Sequence, residues 1–342
     1  MLDLETVATS FQRFAENECA GSSDLYYALS KHITRDRELL ALAAHTKNAQ
    51  PIPNLFLDSV NFIRQREGEQ SLAGYYDLIQ MVDESLYPAF KTFTLEHSTE
   101  VIDLLSYRLV QTNEVNRSAY LYPMLCEIHQ LARKKPLILI EIGAAAGLNL
   151  CCDRYRYEAG WLVYGDSDSN LTLYSEFRST YPYRHIHEPL TVTRRVAIDI
   201  NRIDMHSDVD RRWMRALIWP EHRKRQVRFD AAIRLTQREN IEFVEGNGVE
   251  LLGDLLPDEI TDSAVCVFHT HVANQMPRKD RQKLVETIDY LSTRYDLYHL
   301  YNNIDSPLLQ LVHFEGGTRK HIDIAETEGH GQWVDWTGEP LH

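Results

Sequence analysis

Pro136-Leu-Ile-Leu-Ile-Glu-Ile-Gly-Ala-Ala-Ala-Gly-Leu-Asn-Leu-Cys-Cys-Asp153 is the stretch that decides the fold. Leu137 to Ile142 is an apolar, β-rich run broken only by Glu141, as expected of a strand buried on both faces of a parallel sheet. Gly143 to Gly147 then supplies a turn of very small residues, and Leu148 onward reads as the start of a helix. A strand, a small-residue turn and a helix N-terminus form a cradle for a polar ligand, because unpaired backbone N–H groups point outward there. Glu141, at the tip of the strand, is a fixed acceptor for a ligand donor. Gly143-x-x-x-Gly147 is neither the dinucleotide pattern G-x-G-x-x-G nor a P-loop, so plain close packing is the competing reading of the turn.

Further along the chain the same alternation recurs. Arg194 to Asp199 reads as a second strand and Ile241 to Val249 as a third, with a turn at Gly246-Asn247-Gly248. Ala264 to His271 reads as a fourth strand and Tyr295 to Ile304 as a fifth. Helical patterns lie between them, at about Trp213–Ile218, Lys224–Gln237 and Arg278–Thr293. His321–Thr327 and Gly331–Trp336 read as a terminal antiparallel hairpin. Tyr155 to Tyr164 alternates loosely, with turns at Gly160 and Gly165, as in an inserted hairpin. The expected fold class is therefore α/β, a doubly wound, mostly parallel sheet. The expected organisation is an N-terminal helical domain over 1–135 and an α/β domain over 136–342, with the insertion at about 153–190. Helical patterns in the first part fall at Leu4–Phe14, Leu25–Leu40, Leu55–Ile63, Leu72–Ile79, Val101–Val110 and Tyr120–Ala132, with a breaker at Gln50–Asn54.

Polar residues collect at the expected C-terminal ends of the strands: Glu141, Asp199, Glu245 and Asn247, His269, Asn302. Open α/β sheets bind ligands at that face, and an acid ending the second strand holds ribose hydroxyls. Asp199 lies much further from the turn than the usual ~20 residues, so the inserted hairpin must lie between. Gln111-Thr-Asn-Glu-Val-Asn-Arg117 places amides, a carboxylate and a guanidinium between two apolar helices. It is either a capped helix–loop–helix turn or a polar wall facing the small-residue turn.

Composition bounds the function. The 342 residues are 44% hydrophobic and 25% charged, as in an ordinary soluble globular protein. No apolar run approaches the roughly 20 residues that cross a bilayer, and Met1-Leu-Asp-Leu-Glu lacks the regions of a signal peptide. A cytoplasmic protein with no membrane partner is expected. The net charge of −14 disfavours nucleic acid as a partner. The span Arg194–Asn240 runs against that charge, with twelve Lys and Arg to seven Asp and Glu. A solvated, locally ion-paired face is expected there, and a site for an anionic substrate is the functional alternative. Cys19, Cys126, Cys151, Cys152 and Cys266 contain no C-x-x-C pair, so buried thiols are expected rather than disulfides or a zinc site.

Several segments together resemble the bacterial domain-of-unknown-function 2332 family. They are Gln111-Thr-Asn-Glu-Val-x-Arg117, Glu141-Ile-Gly-Ala-Ala-Ala-Gly-Leu-Asn-Leu, Asp153-Arg-Tyr-x-Tyr, Trp219-Pro220, His269-Thr-His271 and His330-Gly-Gln-Trp333. They span essentially the whole chain. That family is similar to class I methyltransferases that use S-adenosyl-L-methionine, which implies a Rossmann-like sheet of the methyltransferase type. By that resemblance Glu141, Gly143, Ala145 and Gly147 match the first cofactor motif, with Ala145 replacing its middle glycine. Asp199 matches the ribose-binding acid, and Glu245-Gly-Asn247 the segment that contacts adenine. His269 stands at the fourth motif. The Asp/Asn-Pro-Pro-Tyr signature of amino-group methylation is absent.

The implied activity is methyl transfer from S-adenosylmethionine to a small, anionic molecule. His269 is the candidate base, with Glu114 beside it in the catalytic set; Gln111, Asn113, Arg117 and His271 would hold substrate. Two other classes stay open. In one, His269 and His271, on one side of a strand, ligate a metal with His330 and Asp199 for hydrolysis. In the other, the chain is a non-catalytic nucleoside-binding module.

Overall fold

The structure is a computed structural model that describes residues 2–68, 70–111, 113–182 and 184–337. Its helices are α1 (Leu4–Phe14), α2 (Asp24–Ile33), α3 (Arg37–Ala43), α4 (Ile52–Glu67), α5 (Gln70–Tyr76), α6 (Leu86–Glu96) and α7 (Ser98–Tyr107), then α8 (Ser118–Leu131), α9 (Asp208–Ala216), α10 (Arg223–Thr236), α11 (Gly248–Leu251) and α12 (Arg278–Leu291). The strands are β1 (Leu137–Ile142), β2 (Arg156–Ala159), β3 (Leu162–Gly165), β4 (Thr172–Tyr174), β5 (Glu176–Phe177) and β6 (Val192–Asp199), then β7 (Ile241–Glu245), β8 (Ala264–His269), β9 (Leu297–Tyr301), β10 (Leu309–Glu315), β11 (Thr318–Thr327) and β12 (Trp333–Trp336). Two compact units result. One comprises residues 1–112 and 206–227, the other 113–205 and 228–342. No helix among the described residues is long and apolar enough to cross a membrane.

The first unit is helical. Asp3, Ser23 and Asp36 cap α1, α2 and α3 by accepting backbone N–H groups, and Pro53 sits in the first turn of α4, where a missing N–H costs nothing. The Gln50–Asn54 breaker is thus the start of a helix. Edge-to-face contacts of Phe11 and Phe90 on Phe56 build the core. Trp213 packs on Phe62, and Trp219 lies between Phe14 and Tyr26. These two indoles explain why residues 206–227, read from the sequence as part of the α/β domain, belong to the helical unit.

The second unit carries a nine-stranded sheet in the order β5-β12-β11-β10-β9-β8-β1-β6-β7. The run β9-β8-β1-β6-β7 is parallel throughout. β10, β11 and β12 continue it antiparallel, and β5 closes the edge parallel to β12. The chain is therefore mixed α/β with a mostly parallel sheet. β1 sits in the middle, all six of its residues buried. Ile138, Ile140 and Ile142 pack with Val196, Ile198, Val265 and Val267 against Leu284, Ile288 and Leu291 of α12. The chain order reverses between β1 and β8, and positions of that kind are where open α/β sheets take ligands.

The insertion is more than a hairpin. β2 and β3 pair antiparallel as expected, but β4 adds to β2 in parallel and makes a three-stranded sheet. Tyr157 stacks on Tyr164 at 4.9 Å and on Tyr122 of α8 at 5.1 Å, and the Tyr164 hydroxyl donates to the Ala119 carbonyl. These contacts bind α8 into the second unit, although its sequence continues the N-terminal helical pattern.

Three local expectations are corrected. The segment after the small-residue turn is a 3-10 helix over Leu148–Arg154, kinked at Cys151, and so has no long aligned array of N–H groups. β10 was missed, because its buried half, Leu309–Val312, lacks alternation. α6 was missed as well. The five cysteines are free and buried, and Arg194, Arg195 and Arg211 of the basic span pair with Glu242, Asp153 and Asp208.

The Arg195–Asp153 pair accounts for the acid of the Asp153-Arg-Tyr segment. Both side chains are about 5% exposed, and one guanidinium nitrogen donates to both carboxylate oxygens at 2.8 and 2.6 Å. Removing Arg195 leaves the buried Asp153 with only the more exposed Arg154, at 3.6 Å. Arg195→Ala is expected to lose about 3–5 kcal/mol, while Arg195→Met with Asp153→Leu loses much less. Equilibrium denaturation of the two variants beside the wild type checks this.

Candidate functional site

The turn after β1 is held by its neighbours on both sides. Gly143 and Ala144 donate their N–H groups to the Ile198 carbonyl of β6, at 2.8 and 3.2 Å. Gly143 and Gly147 have left-handed backbones, φ +73° and +71°. A Cβ on Gly143 would come within 2.4 Å of Val272 Cγ2, just past β8, so this glycine is required for packing as well as for conformation. Ala145 also has positive φ, +47°, a region that costs a residue with a Cβ of the order of 1 kcal/mol. The backbone thus takes the course a glycine would take, with a methyl group added.

Asp199 offsets that strain. Its Oδ2 accepts the Ala145 N–H at 2.7 Å and its Oδ1 the Asn201 N–H at 2.9 Å, while its carbonyl accepts the Gly246 N–H. One residue therefore ties the β1 turn, its own turn and the end of β7 together. Burial raises its carboxyl pKa, those N–H donors oppose the shift, and Glu245, its register partner on β7, adds to it. Glu245 itself is exposed. Asn247 caps the one-turn α11, its side chain accepting from the Val249 N–H at 3.0 Å.

Glu141 ends β1 almost fully buried. Its Oε1 accepts from Asn149 Nδ2 at 3.2 Å, and the Ser118 hydroxyl fixes that amide by donating to Asn149 Oδ1. Its Oε2 is buried with no partner. Asn113 donates from Nδ2 to the Ala144 carbonyl at 2.7 Å, and its Oδ1 is likewise buried and unpartnered. Two orphan acceptors thus flank the small-residue turn. Burial drives the Glu141 carboxyl from 4.5 up to about 8, against the opposing pull of Asn149 and Arg117.

A second polar cluster lies past β8 and β9. Arg117 donates from Nε to the Gly329 carbonyl at 2.8 Å and from Nη1 to the Thr270 carbonyl and hydroxyl at 3.4 Å. Asn116, fully buried, donates to the carbonyls of Tyr174 and Gly331. Glu114 caps the turn before Arg117 by accepting the Asn116 N–H. His271 adopts φ +56°, receives its place from an N–H donated to Asn302 Oδ1 at 2.8 Å, and has Asn302 and Asn303 within 3.4 Å of its ring nitrogens. Its pKa falls to about 4, through burial first and then the nearby Arg117 and His330, with Glu328 opposing.

His269 and His271 do not share one side of a strand. β8 ends at His269, and His271 follows in a left-handed turn where strand alternation no longer applies. His269 is fully enclosed, stacked on Tyr301 and tilted against His299, with both ring nitrogens unpartnered. Burial holds it neutral, its pKa lowered to about 3. Among the described residues no group of three or more His, Cys, Asp or Glu could hold a metal ion.

The structure therefore assembles Asn113, Glu141, Gly143, Ala145, Gly147 and Asp199 around one turn, and Glu114, Arg117 and His271 around the next strand ends. Gln111 lies in the other unit, and Thr112 lies outside the described residues. Sequence reasoning missed Asn149, Thr270, Asn303 and Glu328. Asn149 stands two residues after Gly147, and Glu328 two before His330, so both lie inside or beside motifs already singled out.

A family model matches residues 8–336, that of the domain-of-unknown-function 2332 family, described as an uncharacterized protein conserved in bacteria. The chain belongs to that family. No curated protein and no solved structure matches it.

The raised Glu141 pKa has a stability consequence. Between pH 4.5 and about 8 the folded chain keeps a proton that the unfolded chain has released. This group's contribution therefore falls as pH rises through that window. Glu141→Gln lacks the titration and is expected to gain on the wild type by up to a few kcal/mol between pH 5 and 8.5. Thermal denaturation of both proteins across that range checks the sign.

Proposed function

We propose that the second unit is a methyltransferase of the Rossmann-like type, binding S-adenosylmethionine at the β1 turn and methylating a small anionic molecule. The observation that carries this reading is the 2.7 Å hydrogen bond between Asp199 and the Ala145 N–H. It joins a small-residue turn to the acid ending β6, the neighbour of β1 on the side away from the reversal of strand order between β1 and β8. That is the arrangement by which open α/β sheets receive a nucleoside.

The residues present fit such a cofactor in chemistry. Asp199, held by the N–H groups of Ala145 and Asn201, is a carboxylate of the kind that accepts ribose hydroxyls at such a strand end. Glu141 Oε2 and Asn113 Oδ1 are buried acceptors that lack donors, and the ammonium of the methionine end is a donor of matching charge. Glu245 to Asn247 would border the base. When bound, the cofactor supplies a sulfonium methyl group as electrophile.

The chain's own task is then to hold a nucleophile in line and to take up its proton. Arg117, held by neutral carbonyls, offers its charge to an anionic substrate. His271 is neutral at physiological pH and faces polar groups, so it would orient the nucleophile by accepting its hydrogen bond, a weak base at a pKa of about 4; the enclosure of His269 leaves it a supporting place. Asn113 and Glu114 would fix the substrate's orientation.

Calorimetric titration of the purified protein with S-adenosylmethionine tests the reading. The wild type is expected to bind. Asp199→Ala should weaken binding about 10–100-fold, the worth of charge-assisted hydrogen bonds of ~1.5–3 kcal/mol. Binding at pH 7 should also release a proton, as a cation beside Glu141 restores its carboxylate, visible as a buffer-dependent heat. A wild-type protein that takes up no cofactor would sink the proposal.

A further inference from the structure

The helical unit encloses polar atoms of its own that its side chains leave unmet. Asp58, in the middle of α4, is 1% exposed, and its Oδ1 is buried without a hydrogen-bond partner. The hydroxyls of Tyr26, on α2, and Tyr76, at the end of α5, are buried and unpartnered in the same way. The three residues are neighbours. The two phenol rings meet edge to face with centroids 6.4 Å apart. Burial raises both phenol pKa values, and the charge of Asp58 adds to the rise in each.

The charged groups that act on both phenols, Asp58 apart, are Glu221 and Arg64, and each has partners of its own. Glu221 accepts the Ser23 hydroxyl at 2.8 Å and the Leu25 N–H at 3.0 Å. Arg64 donates to Asn61 Oδ1 at 3.3 and 3.2 Å and lies 4.6 Å over the Tyr76 ring. Asn61, one turn after Asp58 on α4, donates in turn to the Ala216 carbonyl. A phenol can swing its proton toward any acceptor in reach, so oxygens that make no bond to one another are held apart by the helices that carry them. Leucine at 58 and phenylalanine at 26 and 76 would close the same core without the desolvation cost of three unmet oxygens.

We propose that Asp58, Tyr26 and Tyr76 hold a small monovalent cation, potassium or ammonium. The set is oxygen alone, which suits a hard cation, and its single carboxylate matches a single charge, where calcium sites gather several. Such an ion meets the carboxylate and both phenol oxygens at once. Asn61 and Tyr76 also line a hollow of about 400 Å³ at the surface of this unit, so one turn of α4 separates Asp58 from an opening. The site uses no residue of the β1 turn, and it stands or falls separately from S-adenosylmethionine binding.

Thermal denaturation of the full-length protein in potassium chloride and in ammonium chloride, against the bulky cation of choline chloride at equal ionic strength, tests it. A saturable rise in Tm of at least about 2 °C over choline is expected for one or both small cations, since an ion bound only by the folded chain stabilises it. The salt with the larger rise names the ion. Asp58→Asn keeps the side-chain shape, removes the carboxylate and should abolish the difference between salts. Tyr26→Phe with Tyr76→Phe removes two unmet hydroxyls, should fold whether or not Asp58→Asn does, and should weaken the apparent affinity for the ion about tenfold. Equal melting temperatures in all three salts would overturn the proposal and leave the three oxygens to water. A salt difference that persists unchanged in Asp58→Asn, or in the double phenylalanine variant, would overturn it as well.

Discussion

A carboxyl group must be buried at the end of the central strand, and much of the second unit answers to that constraint. β1 is covered on both faces and paired on both edges, so Glu141 has no route to solvent. Asn149 supplies one donor, and Ser118 from the start of α8 fixes Asn149. The other carboxyl oxygen stays unmet, and burial pushes the group toward its protonated form. A strand of six buried residues could have ended in leucine with less cost. A carboxyl kept there, against its desolvation, is the mark of a group retained for something other than packing.

Asp199 solves a different problem one strand away. The turn after β1 needs left-handed backbone at Gly143, Ala145 and Gly147, and at Ala145 a methyl group opposes it. The hydrogen bond to Asp199 compensates that strain and at the same time fixes the spacing between the ends of β1 and β6. The same contact reads as structure and as preparation for a ligand. A backbone N–H that holds the acid in place also fixes the orientation of its carboxylate.

The two units differ in how polarity is handled. In the helical unit aliphatic side chains and aromatic rings share the core, with Phe11 and Phe90 meeting Phe56 edge to face. In the α/β unit the strand interiors are aliphatic and the polar groups gather at one end of the sheet. The unpartnered carboxyl oxygen of Glu141 lies at that end.

Much of this was legible in the chain. Continuous, β-rich apolar runs at Leu137–Ile142 and Ala264–His269 suited covered strands, and an acid or a histidine at the end of each marked one end of the sheet. Glycine at 143 and 147 announced a turn that needs positive φ. The less legible parts depend on partners far away in sequence. Whether Tyr122 belongs with the helices before it or the hairpin after it is decided by stacking on Tyr157; Trp213 and Trp219 draw a segment from beyond β6 into the helical unit; and His271 leaves the strand alternation because Asn302 holds its N–H. The sequence by itself determined the five parallel strands, their order of appearance and the residues at their ends, because burial periodicity and backbone permissiveness are local. Only the tertiary structure decided which of those end groups are satisfied, which are enclosed like His269, and which stay orphaned like Glu141 Oε2, because hydrogen bonding and desolvation depend on neighbours brought close by the fold.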